Sequence, residues 1–410
     1  MKKTIAILLV AVLAAGSVFA GFSGSADLTA GFDIDAKKYG FIGQGTEVKV
    51  AFDVTTGEGA ASGEGDIYAA IKGTFKLEVK EVKAAKYEDN VPVKLTAKIS
   101  EAGIYGSNWS VSIIGDPKAP DYAKSAIDKD SSDDKNAYDY VPAYNDGDAY
   151  GVTGTYADYA FGVTLTGVEK QLNAGATFET KKFDLNGLTV KAGASASKKA
   201  GAGVLNTSAS ADVAYATDTL SASVKADLGL AIPTNEAEKL AFGADVQVAA
   251  KYSDIAFDVY YATKATTKVD TTGINNLLSA QVVAPLAQFN VPVTVTAGVK
   301  DAVNKTDIFG KVVTTVDKFE ITVGGNFAVQ PKTWGFDAAV KYSFTESADV
   351  TAKVGYTSAE LLSASVVATS TGVINGATVT AGWDGAKDLL DKDASKANYG
   401  KLFAKVSVKF

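Results

Sequence analysis

The chain has 410 residues, a formal net charge of −7, 47% apolar residues and neither histidine nor cysteine, and lysine supplies all of its basic residues. Without histidine and cysteine, Ser-His and Cys-His catalytic sites of the usual kind, thiol chemistry and disulfides are excluded. The acidic balance disfavours nucleic-acid binding, which needs a basic face, and the lack of arginine excludes an arginine-lined pore constriction.

The N-terminus has the pattern of an export signal. Lys2 and Lys3 precede an apolar run over residues 5–15, and small residues lead up to Ala20. This pattern predicts a secretory signal peptide over residues 1–20, because the run is too short for a stable membrane span. With no cysteine present, a lipoprotein signal is excluded, and no later segment approaches the ~20 consecutive apolar residues of a membrane helix.

From residue 21 onward the sequence alternates between apolar and polar residues with a period of two. In one clear example Leu220, Ala222, Val224, Ala226 and Leu228 alternate with Ser221, Ser223, Lys225, Asp227 and Gly229. Such alternation is typical of strands with one lipid-facing and one water-facing side, and no 3.6-residue pattern competes with it. The count of about 22 such segments predicts a single antiparallel transmembrane β-barrel of about 18–22 strands over residues 21–410.

The connections between these segments alternate in length. Short turns occur near residues 157–158, 217–218, 253–254, 290 and 317–318, while longer loops lie between them. Barrels place short turns in the periplasm and long loops outside the cell, so residues 116–148 are predicted to be a long extracellular loop. The Gly-rich stretch 55–65 is an exception, since the same count places it on the periplasmic side. Aromatic residues flank several short turns, as in a membrane-interface girdle.

The last ten residues form a predicted strand of their own. Leu402, Ala404, Val406, Val408 and Phe410 share one face, and lysines dominate the other. A terminal alternating strand that ends in an aromatic residue resembles the C-terminal signal of outer-membrane barrels. Val406, Val408 and Phe410 are therefore predicted to be the signal read by the barrel-assembly machinery, and deletion of Phe410 is expected to reduce membrane insertion.

The polar faces of the strands carry lysines and carboxylates in alternation. Paired carboxylates could in principle serve glycoside hydrolysis, but this interspersed pattern is typical of a polar lumen wall. We therefore predict no enzyme activity and no cofactor. The predicted pore-lining residues are Lys191, Lys225, Asp227, Asp245, Lys251, Asp337, Lys341 and Lys353.

The long loop holds two weaker signals. Residues 128–134 are rich in aspartate but lack the spacing of a calcium loop, so a solvated surface loop is favoured and no metal is predicted. Tyr138, Tyr140 and Tyr144 lie among small polar residues, a composition used by binding loops. They are candidates for host contact or for a loop folded into the lumen.

Three stretches carry a family resemblance: residues 63–72, residues 97–115 and residues 150–156. They resemble the treponemal major outer sheath protein family, including its Tpr relatives. The resemblance implies an abundant spirochaete outer-membrane protein with pore-forming and host-adhesive roles, homo-oligomers, and host extracellular-matrix proteins as partners. It also implies, for some members, a periplasmic N-terminal region before the barrel. It carries no functional residue onto this chain.

Together these features predict a porin in the outer membrane of a diderm bacterium, surrounded by lipid and passing small hydrophilic solutes. The alternative is a surface adhesin or structural outer-sheath protein that uses its barrel as an anchor. A soluble secreted β-sandwich array is disfavoured by the terminal strand and by the alternation of turn lengths. Conductance in a planar bilayer separates the first two functions.

Overall fold

A computed structural model shows a single sheet of 24 strands, every described pair of which is antiparallel. The structure describes residues 25–35, 37–40, 46–56, 67–79, 93–115, 117–127, 151–168, 171–198, 203–236, 240–264, 275–287, 290–303, 306–359, 361–373, 376–385, 389 and 399–409. The predicted signal peptide and Phe410 lie outside these residues. Within them, no helix is long and apolar enough to cross a membrane.

The strands follow one another in chain order around the sheet. The first half comprises β1 Ser25–Asp33, β2 Lys38–Gly40, β3 Thr46–Thr56, β4 Tyr68–Val79, β5 Val93–Tyr105, β6 Trp109–Gly115, β7 Gly151–Tyr156, β8 Tyr159–Val168, β9 Gln171–Glu179, β10 Phe183–Leu185, β11 Leu188–Lys198 and β12 Val204–Ala216. The second half comprises β13 Leu220–Pro233, β14 Ala241–Tyr252, β15 Ile255–Lys264, β16 Asn275–Pro285, β17 Val293–Val299, β18 Asp307–Val316, β19 Phe319–Ala328, β20 Thr333–Thr345, β21 Ala348–Thr357, β22 Leu362–Ser370, β23 Ala377–Asp384 and β24 Lys401–Lys409.

The sheet closes into a ring. β1 pairs with β24 on one side, from Ser25 opposite Lys409 to Asp33 opposite Lys401, and it lies beside β2 and β3 on the other. β9 and β10 both pair with β11, so β10 continues β9 along the same neighbour. β2 and β10 have three residues each, which is too short to cross a membrane, so the other 22 of the 24 strands count as membrane crossings. The predicted all-β barrel is confirmed, with a crossing number at the top of the predicted range.

Tight turns explain how the hairpins form. At the β7–β8 connection Ala157 and Asp158 have φ values of 48° and 70°, which is the left-handed pair that a two-residue hairpin turn requires. Ser253 and Asp317 have φ values of 52° and 53° at two other predicted turns. Aspartate and asparagine tolerate this conformation better than most residues, and Asp158, Asn186, Asn290 and Asp317 adopt it.

The two faces of the wall differ in chemistry. Along β13 the side chain of Val224 is 48% exposed, whereas that of Asp227 is 2% exposed. The same alternation leaves large apolar side chains exposed on one face all around the ring; examples are Phe242, Phe257, Ile321, Phe336, Val366 and Leu402. A continuous apolar surface of this extent marks contact with lipid rather than with water.

Aromatic residues collect at both rims of this apolar face. Phe319 and Tyr342 lie at the short-turn rim with their ring centroids 4.7 Å apart. Trp334 contacts Tyr356 at the opposite rim, with centroids 5.7 Å apart. Eight residues separate Trp334 from Tyr342 along β20, or roughly 27 Å of strand, which a tilt of about 40° reduces to roughly 21 Å. This height is close to the ~25 Å apolar band of outer-membrane barrels.

Candidate pore and its inner strap

Residues 117–127, which we call the inner strap, run across the wall rather than along it. Pro117 lies against Gly151 of β7 and Gly162 of β8, and Ser125 reaches Ser279 of β16, with side-chain oxygens 3.2 Å apart. Between these ends the strap contacts β11, β12, β13 and β14 in that order. The strap is therefore an extended cross-strand segment fastened to one side of the ring.

The length of the strap shows which face it occupies. Seven strand-to-strand ladders separate β8 from β16, an arc of about 34 Å at ~4.8 Å per strand. The eight residue steps from Pro117 to Ser125 span at most about 29 Å. A path shorter than the arc is possible only on the concave side, so the strap and the polar side chains that it contacts are inside the ring.

Glycines on the inner wall make room for the two prolines of the strap. A Cβ atom at Gly162 would come within 2.6 Å of the Cβ of Pro117, and one at Gly193 within 2.4 Å of the Cγ of Pro120. Both distances are shorter than real Cβ contacts, and a proline ring cannot rotate away. Any side chain at either position would therefore push the strap from the wall.

Asp227 anchors the middle of the strap through its carboxylate. The backbone N–H of Tyr122 donates to both carboxylate oxygens, at 3.1 and 3.0 Å, and the N–H of Ala123 donates to one of them at 2.6 Å. On the neighbouring strand β12, the Ser210 hydroxyl donates a hydrogen bond to the carbonyl oxygen of Pro120 at 2.7 Å. Hydrogen bonds to an ionised acceptor are the strong ones, so Asp227 is the principal polar attachment.

The Tyr122 side chain extends to the adjacent strands. Its hydroxyl donates to Glu179 at 2.8 Å, and the Lys191 ammonium lies 5.6 Å from the centre of its ring. Lys191 also forms an ion pair with Glu179. Burial of the phenol, together with its hydrogen bond to Glu179, raises the pKa of Tyr122 far above its ordinary value, so the hydroxyl stays protonated.

The far part of the strap adds a small apolar contact and one backbone bond. Ala123 is buried in a cluster with Tyr260, Ala262 and Leu277 of β15 and β16. The N–H of Lys124 donates to the side-chain oxygen of Gln247 at 3.2 Å. The Lys124 side chain is 66% exposed and lies 3.6 Å from Asp121 of the strap. Lys118 is also exposed.

All eight predicted pore-lining residues lie on the inner face. Directly paired residues on antiparallel neighbours share a face, and the pairs can be followed from Asp227 both to β11 and to β21. The residues on this face are Lys191, Lys225, Asp227, Asp245, Lys251, Asp337, Lys341 and Lys353. Whether solutes pass along them stays a prediction.

The structure gathers these residues into separate groups. Lys191, Lys225, Asp227 and Asp245 lie on β11, β13 and β14, which the strap crosses; Asp227 and Asp245 face each other directly across β13 and β14, and both are buried, at 2% and 1% exposed. Lys251 lies at the short-turn rim, 3.8 Å from Asp254.

A second group lies further round the ring. Asp337, Lys341 and Lys353 line a hollow on the inner wall of β18–β22 together with Lys311 and Glu320. Lys341 also forms an ion pair with Asp349, at 3.4 Å. Among the described residues, no cluster of three or more aspartates or glutamates forms a metal site.

Sequence reasoning missed the strap and the residues that hold it, Glu179 and Gln247 among them. The prolines and wall glycines were visible, but no sequence signal pairs one with the other. The predicted assembly residues lie on β24: Val406 pairs with Leu28 and Val379, and Val408 pairs with Ala26 and Ala377. Their role in assembly stays a prediction.

No protein-family model matches the chain, and no curated protein matches it. Among solved structures, the chain is similar to the siderophore receptor PirA from Acinetobacter baumannii, with a TM-score of 0.48 and 10% identity, covering 95% of this chain and 81% of the receptor. It is also similar to the outer membrane protein opdK from Pseudomonas aeruginosa, with a TM-score of 0.37 and 9% identity over 95% and 98% of the two chains. A BenF-like porin from Pseudomonas fluorescens Pf-5 gives a TM-score of 0.37 and 9% identity over 95% and 97%. With TM-scores this low, the functional assignment rests on the geometry of the chain itself.

Proposed function

We propose that the chain is a pore in the outer membrane of a diderm bacterium, through which small hydrophilic solutes diffuse passively. The observation that carries this proposal is the contrast between the two faces of the 22-crossing ring, apolar outside and charged inside. Small barrels fill their interior with side chains, whereas rings of 16 or more strands are wide enough for water. The charged inner wall is suited to a hydrated lumen.

The outer-membrane location follows from the same geometry. All described strands except β2, β3 and β10 pair with neighbours on both sides, and β3 lies against β1 where the ring closes, so the wall offers lipid little unpaired backbone. The aromatic rims place an apolar band of the right height between two interfaces. The resemblance to the treponemal outer sheath family is compatible with this location and adds the proposal of a spirochaete source.

The test is reconstitution of the full chain, without residues 1–20, into planar lipid bilayers and liposomes. A pore gives stepwise conductance in potassium chloride and uptake of small sugars that falls with sugar size. The matched control is the same protein unfolded by boiling before addition, which should give neither signal. Folded, membrane-inserted protein without conductance would overturn the pore and favour the adhesin or structural role, with the barrel as an anchor.

A further inference from the structure

We propose that the inner strap sets the charge selectivity of the pore, by covering a carboxylate-rich part of the wall and presenting lysines to the lumen in its place. This inference rests on the proposed pore function. It assigns a specificity role to Lys118 and Lys124, and it favours small anionic solutes over cations on this side of the lumen. The observations that carry it are the burial of wall carboxylates beneath the strap and the exposure of these two lysines on top of it.

The wall beneath the strap is acidic. Among the described side chains of β9 and β11–β15, the inner face carries five carboxylates against three lysines; the carboxylates are Glu179, Asp212, Asp227, Asp245 and Asp258, and the lysines are Lys191, Lys225 and Lys251. The strap shields two of these carboxylates from the lumen. Asp227 is 2% exposed and accepts hydrogen bonds from N–H groups of the strap. Glu179 accepts a hydrogen bond from Tyr122 and forms an ion pair with Lys191.

The surface that replaces this wall has the opposite sign. Lys118 and Lys124 are exposed on the strap, and Asp121 is the one acidic residue among residues 117–127. The strap therefore carries a net charge of +1, and the side chain of Lys124 is 66% exposed. Fixed charges on a pore lining act on passing ions over about a Debye length, ~8–10 Å at moderate salt.

The dimensions favour a charge effect over a blockage. Twenty-two strands at ~4.8 Å with a tilt of about 40° give a ring of roughly 44 Å between opposite backbones. One extended chain against the wall is about 10 Å thick with its side chains, so the strap alone narrows such a lumen without closing it. Its larger effect on permeation is therefore the exchange of an acidic wall for a basic surface.

Two kinds of variant separate charge from occlusion. Gly193→Ala places a methyl group 2.4 Å from Pro120 and displaces the strap without changing any charge; Gly310→Ala is the matched control, since its new Cβ has no atom nearer than 4.0 Å. Gly162→Ala gives a second route to displacement at Pro117, should Gly193→Ala fail to fold. Lys118→Gln/Lys124→Gln removes the exposed charges and leaves unchanged the attachments made by Pro117, Pro120, Tyr122 and Ser125, with Lys118→Arg/Lys124→Arg as its control.

The measurement is the reversal potential in a potassium chloride gradient, with single-channel conductance recorded on the same channels. We expect Gly193→Ala to raise the conductance and to lower the chloride-to-potassium permeability ratio. The double glutamine variant should lower the ratio roughly threefold with little change in conductance, as expected for two charges about one Debye length from the ion path in water. The arginine and Gly310 controls should match the wild type.

The outcomes distinguish this inference from the pore function. If the Gly193→Ala and double glutamine variants both keep the permeability ratio of the wild-type channel, the selectivity role is overturned and the pore function stands. A change of conductance alone would show that the strap only narrows the lumen, and would also overturn it. Failure of the folded wild-type protein to conduct would instead overturn the pore function itself, and the selectivity role with it.

Discussion

Replacing Asp227 by asparagine tests the attachment of the inner strap most directly. The carboxylate accepts the N–H groups of Tyr122 and Ala123, the latter at 2.6 Å. Asparagine keeps the shape of the side chain, but it offers a single acceptor oxygen and turns an NH₂ donor towards a backbone donor. The substitution therefore removes the charge from both hydrogen bonds and one acceptor altogether.

The size of the effect can be worked from these bonds. A hydrogen bond to a charged group contributes about 1.5–3 kcal/mol, and part of the attachment survives through the remaining oxygen. We expect the strap to be held less tightly by about 2–4 kcal/mol. Since 1.36 kcal/mol is a factor of ten, the ratio of released to docked strap should rise roughly 30-fold to 1,000-fold.

The barrel itself should not be weakened by the same change. Asp227 faces Asp245 directly across β13 and β14, and like charges in this position destabilise a sheet by about 0.2–1 kcal/mol. Removing one of the two charges relieves this repulsion. The temperature at which the folded form is lost in a heat-modifiability gel should therefore stay level or rise in Asp227→Asn, even though the strap is loosened.

A thiol-labelling assay reads the release of the strap in this cysteine-free chain. Ala123 is fully buried against the wall, so Ala123→Cys can react with a water-soluble maleimide only when the strap leaves. Lys124→Cys lies on the exposed side and should react at the same rate in every background. Equal labelling rates for Ala123→Cys with and without Asp227→Asn would refute the anchoring role of the carboxylate.

Three further predictions use the same geometry. Val224→Lys should cost about 2–4 kcal/mol of barrel stability in urea unfolding, because it puts a charge into lipid near the midplane, whereas Lys225→Val on the inner face should cost less; equal losses would contradict the register. Because burial and Glu179 raise the pKa of Tyr122, its docking contribution is present below the ordinary pKa of about 10 and is lost as the pH rises above that value, so labelling of Ala123→Cys should climb there in the wild type and not in Tyr122→Phe. The side-chain oxygens of Ser125 and Ser279 lie 3.2 Å apart, so the double variant Ser125→Cys/Ser279→Cys should cross-link under oxidation. The cross-link should abolish the extra labelling that Asp227→Asn causes, and reduction should restore that labelling. Failure to cross-link would contradict the contact between the strap and β16.

The barrel was predictable from the sequence because its code is local. In each strand, apolar residues at alternate positions identify the lipid-facing side. The terminal alternation from Leu402 to Val408 forms β24, which pairs with neighbours on both sides. A one-residue shift would turn every apolar side chain inwards, so the pattern fixes the faces as well as the strand. The side of the wall occupied by each of the eight predicted polar residues could be derived in the same way.

The strap could not be derived, because nothing local specifies it. Residues 117–127 have neither a period-2 nor a 3.6-residue pattern, and they fall inside a stretch predicted to be an outer loop. What holds them is a set of contacts far apart in sequence, such as Ser125 with Ser279, 154 residues apart. From the sequence, Asp227 was one of eight equivalent polar positions, and only the folded chain shows that it binds backbone rather than facing water.

The curvature of the ring explains why so short a segment contacts so many strands. On the inside of the wall, eight residue steps of at most about 29 Å cover an arc of about 34 Å. Each strap residue therefore meets roughly one new strand, and Pro117, Pro120, Tyr122 and Ser125 each contact a different part of the wall. On a flatter wall, the distance from β8 to β16 would exceed the length of the strap, and its far end could not reach β16. The width of the ring and the attachment of the strap are thus linked, because the same curvature that opens the lumen brings the wall within reach of a single extended segment.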